Sequence, residues 1–110
     1  MKKYSMIIAL AAAALVLPAQ QASAAGDAEA GKTKSAACAA CHGPDGNSPT
    51  PAFPKLAGQQ KDYIYHSLKQ YKAGSRKNPI MAGQVANLSI ADMEDLAAYF
   101  SSQSGLVVKH

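Results

Sequence analysis

Apolar side chains recur at helical spacing in the middle of the chain, with polar residues at the positions between them. Four of them fall on one face of a helix running from Gln60 to Ala73: Tyr63, Ile64, Leu68 and Tyr71. Gly74 follows directly, and glycine commonly ends a helix because it adopts the left-handed conformation without strain. The pattern therefore predicts an amphipathic helix over these residues, with its apolar face turned toward a core.

The same spacing returns near the end of the chain. Ser89 is followed three residues later by Asp92, a short relative of the capping box that begins many helices. The apolar stripe of this predicted helix consists of Ile90, Met93, Leu96, Ala97 and Phe100. A third helix is predicted over residues 26–41, which are rich in alanine and carry Asp27 and Glu29 in the first turn. No segment alternates polar and apolar residues as strands do, so the predicted class is all-α.

Proline and glycine separate the predicted helices. Residues 43–58 contain four prolines and three glycines, which exclude a regular helix or strand and predict an ordered loop. A loop of this length in a compact domain is usually functional. A second loop is predicted from Ser75 to Leu88, and it contains Asn78-Pro79.

The first 24 residues have the pattern of a secretory leader rather than of a folded domain. Lys2 and Lys3 precede twelve apolar residues, 6–17, and Ala22-Ser23-Ala24 supplies the small residues that a signal peptidase recognises. An apolar run of this length is too short for a membrane span, which needs roughly 20 residues. We therefore expect residues 1–24 to be a cleaved signal peptide and residues 25–110 to form a single domain.

Removal of that leader changes the charge of the protein. The whole chain has 11 basic and 7 acidic residues, a net charge of +4, and loss of the two leader lysines lowers it to +2. So small a charge gives little support to nucleic-acid binding. Export to the periplasm also places both cysteines in an oxidising compartment, where a plain disulfide has to be considered.

The two cysteines belong to the strongest motif in the chain, Cys38-Ala39-Ala40-Cys41-His42. A Cys-x-x-Cys-His sequence is typical of covalent haem attachment. Cysteines three residues apart on a helix project from one face, so both sulfurs can reach the two vinyl groups on one porphyrin edge. The histidine that follows can then give an imidazole nitrogen to the iron. The motif predicts one haem c, bound through thioethers at Cys38 and Cys41 and ligated by His42.

Three other uses of the cysteines explain this motif less well. A thioredoxin-like dithiol requires a βαβ setting, which the hydrophobic pattern lacks. A structural zinc site requires four ligands, and only His66 and His110 remain to complete one. A simple disulfide leaves the adjacent histidine unexplained.

A second axial ligand is sought among the remaining methionines and histidines. Met93 lies on the buried stripe of the last helix, where methionine usually only fills space. Met81 stands in the predicted loop after Asn78-Pro79, far enough from His42 for the chain to return over the opposite haem face. We predict Met81 as the sixth ligand, with His66 or an open position as the alternatives.

At these residues the chain resembles the class I c-type cytochromes, specifically the short bacterial soluble mono-haem type. It is also similar to one half of the di-haem cytochromes that are built from two such domains. The resemblance extends over residues 26–102 and is carried by Cys38-Ala39-Ala40-Cys41-His42-Gly43, Phe53-Pro54-Lys55-Leu56-Ala57-Gly58-Gln59, Gly74-Ser75-Arg76, Met81, Leu88-Ser89 and Leu96-Ala97-Ala98-Tyr99-Phe100. It implies a class I cytochrome c fold, with three main helices and ordered loops wrapped around one covalently bound haem.

The resemblance also implies roles for two residues that follow the motif. The backbone carbonyl of Pro54 would accept a hydrogen bond from the second ring nitrogen of His42, which fixes the ring and raises its basicity. Leu56 would pack on the haem.

Two further expectations come from the same resemblance. The first and last helices should cross near Gly31, against Tyr99 or Phe100. Some family members direct a tryptophan at a haem propionate, but this chain contains no tryptophan. The candidates for that role are Arg76, Tyr71 and Tyr65.

The function implied is that of a periplasmic electron carrier rather than an enzyme, because two filled axial positions leave the iron no vacancy for a substrate. The expected partners of this monomer are redox proteins such as a membrane cytochrome complex or a terminal oxidase or reductase. Two alternatives stay open. One is a five-coordinate haem protein that acts on peroxide or binds a gas, and the other is a non-catalytic subunit of a larger assembly.

Electrons are expected to pass through an exposed haem edge near the attachment cysteines and Met81. The residues small enough to leave that edge open are Ala39, Ala40, Gly43, Ala82 and Gly83. Lysines around it could steer acidic partners; they are Lys32, Lys34, Lys55, Lys72 and Lys77.

Overall fold

The computed structural model of the chain describes residues 12–14 and 25–107. Most of the predicted signal peptide, and also His110, lie outside the described residues. Five helices occur in the described part: α1 Ala28–Lys34, α2 Ala36–His42, α3 Lys61–Ala73, α4 Pro79–Val85 and α5 Ile90–Ser101. These residues include no β-strand, and the predicted all-α class is confirmed. None of the helices described is long and apolar enough to cross a membrane.

The predicted first helix begins later than expected and is interrupted at Ser35. Asp27 lies outside α1 as its N-cap, where its carboxylate accepts hydrogen bonds from two backbone N–H groups of the first turn. Ser35 separates α1 from α2, and its buried hydroxyl donates to the carbonyl oxygen of Lys32 at 2.7 Å. A serine that bonds back to the preceding turn competes with the helical hydrogen bonds. Residues 26–41 therefore contain two short helices rather than one.

Helix α1 crosses α5 at Gly31, in the close contact that the resemblance implies. A methyl group at Gly31 would lie 2.7 Å from Tyr99 Cβ and closer still to the backbone carbonyl oxygen of Asp95. Only glycine allows this approach, and Tyr99 is the aromatic residue at the crossing. Lys34, the last residue of α1, also ties the two helices together, because its ammonium group pairs with the carboxylates of Asp92 and Asp95 on α5.

Helix α5 forms the centre of the core, and α3 packs against it. Ser89 begins α5 with a complete capping box, in which Ser89 and Asp92 exchange side-chain and backbone hydrogen bonds. The buried core cluster consists of Ile64, Leu96, Ala97, Tyr99 and Phe100. The prediction that Ile90 belongs to the buried stripe is wrong. It is the first residue of α5, and its side chain is 59% exposed.

Gly74 ends α3, as the sequence predicts, in the left-handed conformation with φ at 80°. The chain then turns back along the helix that it has just left. The backbone N–H of Arg76 donates to the carbonyl oxygen of Gln70 at 3.2 Å. This reversal places the residues after Gly74 beside the last turns of α3.

The segment predicted as a loop from Ser75 to Leu88 contains the short helix α4. Asn78 is its N-cap, and the side-chain oxygen of Asn78 accepts hydrogen bonds from the backbone N–H groups of Ile80 and Met81. Pro79 occupies the first helical position, where the missing N–H removes no helical hydrogen bond. Asn78-Pro79 is therefore a helix start, and the prediction that Met81 lies in a loop is wrong.

The loop of residues 43–58 is ordered, as predicted, because hydrogen bonds close it and tie it to the core. The carbonyl oxygen of Gly46 accepts a hydrogen bond from the Leu56 N–H at 2.8 Å. The hydroxyl of Tyr99 donates to the carbonyl oxygen of Pro44 at 2.6 Å. The loop therefore forms a fixed wall next to the end of α2.

Candidate functional site

A cavity of about 340 Å³ opens between α2, the loop that follows it, α3 and α4. Helix α3 turns its apolar stripe toward this cavity, so the pattern that predicted the helix also builds one wall. Most of the remaining lining is apolar or aromatic, as are Ala37, Phe53, Leu56, Ile80, Leu96 and Phe100. Among the described residues that line the cavity, none is an aspartate or a glutamate.

Cys38 and Cys41 lie on α2, and both line the cavity. Both are free thiols with partly buried side chains. Burial raises the pKa of the Cys38 thiol, and the neighbouring Cys41 is the smaller cause. The helix thus presents two sulfurs to the same apolar space.

His42 is the last residue of α2, and it is 8% exposed. Its Nδ1 atom lies 2.7 Å from the carbonyl oxygen of Pro54. Because a carbonyl oxygen can only accept, Nδ1 carries the proton and the lone pair of the neutral ring is on Nε2. The hydrogen bond also fixes the orientation of the ring. The ring lines the cavity next to Phe53, so His42 has the tautomer and the position of a metal ligand.

Met81 lines the same cavity as His42, and α4 is the element that places it there. Its side chain is half-buried, and its backbone N–H donates to Asn78 at the start of the helix. Met93 is 2% exposed in the core and does not line the cavity. His66 lies exposed on α3, also outside that lining. Of these three side chains, Met81 alone lines the cavity together with His42.

The other residues that the resemblance singled out divide into two groups. Leu56, Tyr71 and Arg76 line the cavity, and Leu56 also packs against the core cluster. Tyr65 does not line it. Its ring packs on the core cluster and lies under the ammonium group of Lys69, 5.2 Å from the ring centre.

Sequence analysis missed Ser67, which lines the cavity and holds Arg76. The Nη1 atom of Arg76 donates to Ser67 Oγ at 3.0 Å. Its guanidinium group also lies over the Tyr71 ring, 4.8 Å from the ring centre. The signal in the sequence that could have revealed this contact is Gly74. A glycine that ends α3 in the left-handed conformation turns the following residues back along the helix.

The five lysines that we expected around an exposed haem edge differ in the contacts that they make. Lys34 is paired with two carboxylates of α5 and offers no free charge to a partner. The ammonium group of Lys72 donates to the carbonyl oxygen of Leu88. Lys55 lines the cavity itself. Lys32 and Lys77 make none of these contacts, and both are exposed, as Lys55 and Lys72 also are.

The small residues that we expected at the open haem edge differ in their exposure to solvent. Ala40 and Gly83 are exposed, while Ala39 and Ala82 are half-buried. Gly43 is buried, so it contributes nothing to an exposed edge. The exposed members lie on α2 and α4, the helices that carry the cysteines and Met81.

These residues fit a covalently bound haem. Two thiols stand on one helix, the adjacent imidazole keeps a free Nε2, a thioether lines the same space, and the walls are apolar. They do not fit a structural zinc site, since the described part of the chain contains no group of three or more His, Cys, Asp or Glu side chains placed to hold a metal. The chemistry of the donors therefore agrees with the Cys-x-x-Cys-His motif.

Comparison with known proteins gives one family model and several relatives that match this chain. Residues 28–104 match the family model described as "Cytochrome c". Cytochrome c4 of Stutzerimonas stutzeri is 56% identical over 95 residues, which are 78% of this chain and 45% of that protein. Cytochrome c-554(548) of Halomonas halodenitrificans is 45% identical over 82 residues, which are 72% of this chain and 99% of that protein.

The fold is similar to a solved structure of the same group. The crystal structure of reduced recombinant cytochrome c4 from Pseudomonas stutzeri aligns with a TM-score of 0.71 and 55% sequence identity. The alignment covers 76% of this chain and 48% of that one. The chain thus spans about half the length of the cytochromes c4 that it matches.

Proposed function

The chain belongs to the cytochrome c family, and from this we propose that it carries single electrons between redox proteins through one haem c. The observation that carries the proposal is the cavity in which Cys38, Cys41, His42 and Met81 meet. When bound, the haem supplies an iron that changes between the ferrous and ferric states. The residues of the chain determine how it is held and what reaches the iron.

Cys38 and Cys41 would hold the cofactor covalently, each through one thioether bond to it. A small domain has a limited core for packing around a large apolar cofactor, and two thioethers would keep that cofactor in place. His42 would ligate the iron through Nε2, and the carbonyl oxygen of Pro54 holds the imidazole ring in place.

Met81 supplies the sixth ligand in this proposal. This assignment is supported by the position of Met81, which lines the same cavity as His42. It is also supported by the capped start of α4, which fixes the backbone at Met81. A thioether favours ferrous iron and so raises the reduction potential. If His42 and Met81 both bind the iron, no coordination site would remain for a substrate, which favours electron transfer over catalysis.

We place the mature protein in the periplasm, on the leader pattern of residues 1–24 and its small-residue cleavage site. Its partners are redox proteins, such as a membrane cytochrome complex or a terminal oxidase or reductase, and the protein acts as a monomer. Exposed small residues on α2 and α4 allow such a partner to approach: Ala40 and Gly83.

Spectroscopy of the protein expressed with its leader tests the proposal. The reduced protein should give a low-spin spectrum, should not react rapidly with carbon monoxide, and should undergo reversible one-electron voltammetry. Rapid carbon monoxide binding by the wild type would contradict the carrier function and favour the gas-binding or peroxide-reacting alternative. Absence of haem from the purified protein would contradict the proposal altogether.

A further inference from the structure

The chain that follows α5 crosses the loop between α2 and α3 and is hydrogen-bonded to both arms of that loop. The carbonyl oxygen of Ser104 accepts a hydrogen bond from Asn47 Nδ2 at 2.9 Å, on the arm that leaves α2. The backbone N–H of Leu106 donates to the carbonyl oxygen of Ala57 at 2.7 Å, on the arm that returns. Residues 104–106 therefore lie across the neck of the loop, and we call this segment the tail strap.

The two arms of the loop are also bonded to each other at this neck. The carbonyl oxygen of Gly46 accepts hydrogen bonds from the backbone N–H groups of Leu56 and Ala57, at 2.8 and 3.1 Å. Leu56 lies two residues after Pro54, whose carbonyl oxygen is 2.7 Å from His42 Nδ1. A short series of hydrogen bonds therefore connects the tail strap to the carbonyl group that holds the proposed haem ligand.

Asn47 is held in one orientation against the tail strap. Its Nδ2 atom also donates to Asp45 Oδ2 at 2.8 Å, and its backbone N–H donates to the other oxygen of Asp45 at 2.9 Å. An ionised carboxylate and a carbonyl oxygen can only accept, so the two N–H groups of the amide face Asp45 and Ser104. The hydrogen bonds from Asn47 lower the pKa of Asp45, so this acceptor stays ionised at neutral pH. Both donors of the Asn47 amide are therefore in use.

The tail strap also packs closely against the loop. A methyl group at Gly105 would lie 2.6 Å from Ala57 Cβ and 2.8 Å from Asn47 Oδ1. A methyl group at Gly58, on the loop, would lie 2.6 Å from the carbonyl oxygen of Leu106. Non-bonded atoms do not approach so closely, so a larger residue at either position would push the strap away from the loop. Packing and hydrogen bonds thus fix the strap at the same place.

We propose that Asn47 is a positioning residue for the haem ligand: it joins the loop to the tail strap and thereby keeps the Pro54 carbonyl oxygen within reach of His42 Nδ1. The inference rests on the proposed function, because it treats His42 as a ligand of the iron. Pro54 lies in a segment without regular secondary structure, so its carbonyl group is fixed only as well as the loop itself is fixed. A ligand keeps its geometry when the groups behind it are held in place, and here those groups include the strap.

Release of the strap should have two measurable effects at His42. The hydrogen bond from Nδ1 to Pro54 would open more often, so the Nδ1 proton should exchange faster with solvent. The reduction potential should rise, because an imidazole that donates through its second nitrogen gives more electron density to the iron and favours the ferric state. A general loss of stability would instead speed proton exchange in the core helices as well.

The test compares Asn47→Ala with Ser48→Ala in the haem-containing protein. Ser48 is the neighbouring loop residue, and its hydroxyl donates to the carbonyl oxygen of Thr50 rather than to the strap. In NMR of the reduced protein, the His42 Nδ1 proton of Asn47→Ala should exchange about two- to tenfold faster than in the wild type, as expected for the loss of one hydrogen bond. The backbone N–H of Leu96, in the core of α5, should not follow. The potential of Asn47→Ala should rise, and Ser48→Ala should leave both quantities unchanged.

An Nδ1 exchange rate or a potential that is no higher in Asn47→Ala than in Ser48→Ala would overturn the proposal while leaving the electron-carrier function intact. Exchange that accelerates equally at Leu96 would also overturn it, since that result indicates a general loss of stability. If Asn47→Ala does not fold, Gly105→Ala decides the question, because it displaces the strap from the other side. Faster Nδ1 exchange and a higher potential in Gly105→Ala support the proposal, and wild-type values contradict it. A wild-type protein without covalent haem would overturn the proposed function as well.

Discussion

The ammonium group of Lys34 lies 2.6 Å from Asp95 Oδ2 and so joins α1 to α5 across 61 positions of the sequence. A second carboxylate, that of Asp92, lies 2.9 Å from the same nitrogen. The other oxygen of Asp95 accepts a hydrogen bond from the Asp27 backbone N–H at 2.8 Å. One lysine and one aspartate therefore tie the start and end of α1 to the last helix, beside the crossing at Gly31.

This clamp predicts a loss of stability in acid. Hydrogen bonding to Lys34, followed by hydrogen bonds at Ser89, lowers the pKa of Asp92 from 3.8 to about 2, and the pKa of Asp95 is lowered mainly by Lys34 as well. A carboxylate whose pKa is lower in the folded state stabilises the fold above its unfolded pKa, and that contribution is lost as it becomes protonated. The contribution should be complete above pH 3.8 and should disappear as the pH falls toward 2.

Lys34→Gln, with Lys32→Gln as its matched control on the same helix, checks this prediction. In urea unfolding of the haem-containing protein, Lys34→Gln should be less stable than the wild type at neutral pH, and the difference should shrink in acid. Lys32, which is exposed and forms no ion pair in the structure described, should have little effect at either pH. A difference that does not depend on pH would show that the ion pairs are not its cause.

Gly31→Ala should destabilise the fold, because the added methyl group would overlap the Asp95 carbonyl and lie 2.7 Å from Tyr99 Cβ. Both neighbours belong to packed helices, so α1 and α5 must move apart, and overpacking of this kind usually costs about 1–3 kcal/mol. Gly83→Ala is the control. It is also helical but has nothing within 4 Å of the new methyl group, so it should gain up to about 1 kcal/mol of helix propensity. Thermal unfolding followed by circular dichroism measures both, and equal effects would refute the close crossing.

Met81→Ala should open the iron to exogenous ligands. We expect a shift toward a high-spin spectrum, binding of carbon monoxide, and a lower potential, because water or hydroxide stabilises ferric iron better than a thioether does. Met93→Leu is the matched control, since Met93 is 2% exposed in the core. It should leave the spectrum and potential unchanged and cost less than about 1.5 kcal/mol in stability. A low-spin Met81→Ala protein with the parent potential would assign the sixth ligand elsewhere, with His66 to be tested next.

Replacement of both Cys38 and Cys41 by alanine should make the haem extractable. In the wild type the haem should survive acid–acetone treatment and add its mass to the polypeptide, because two thioether bonds hold it. The Cys38→Ala protein and the Cys41→Ala protein should each retain one bond and a covalent haem. Haem that is extracted intact from the wild type would contradict covalent attachment.

The short-range features of the chain could be read directly from its sequence. Ser89 and Asp92 form the capping box that their spacing predicts, and Gly74 ends α3 in the left-handed conformation. The cysteine spacing defines one helical face at Cys38 and Cys41, which both line the cavity. These features depend on residues within one or two helical turns of each other, so local backbone geometry is sufficient to determine them.

Local pattern alone was ambiguous at two places. Asn78-Pro79 is typical of a turn and equally of a capped helix with proline at its first position, and the folded chain takes the second form. Ser35 has the side chain of a residue that can stay in a helix or interrupt one. Its hydroxyl bonds back to Lys32, and the predicted first helix becomes two. Neither choice could be made from propensity, because the competing conformations differ by small energies.

Sequence by itself determined the all-α class, the ends of α3, the start of α5 and the residues able to attach a haem. Only the tertiary structure decided which distant groups meet. It brings Lys34 to Asp95, Arg76 to Ser67, and the Tyr99 hydroxyl to within 2.6 Å of the carbonyl oxygen of Pro44. These pairs are set by how the helices cross and where the loop of residues 43–58 closes. Such contacts follow from the packing of the whole domain, which no local periodicity encodes.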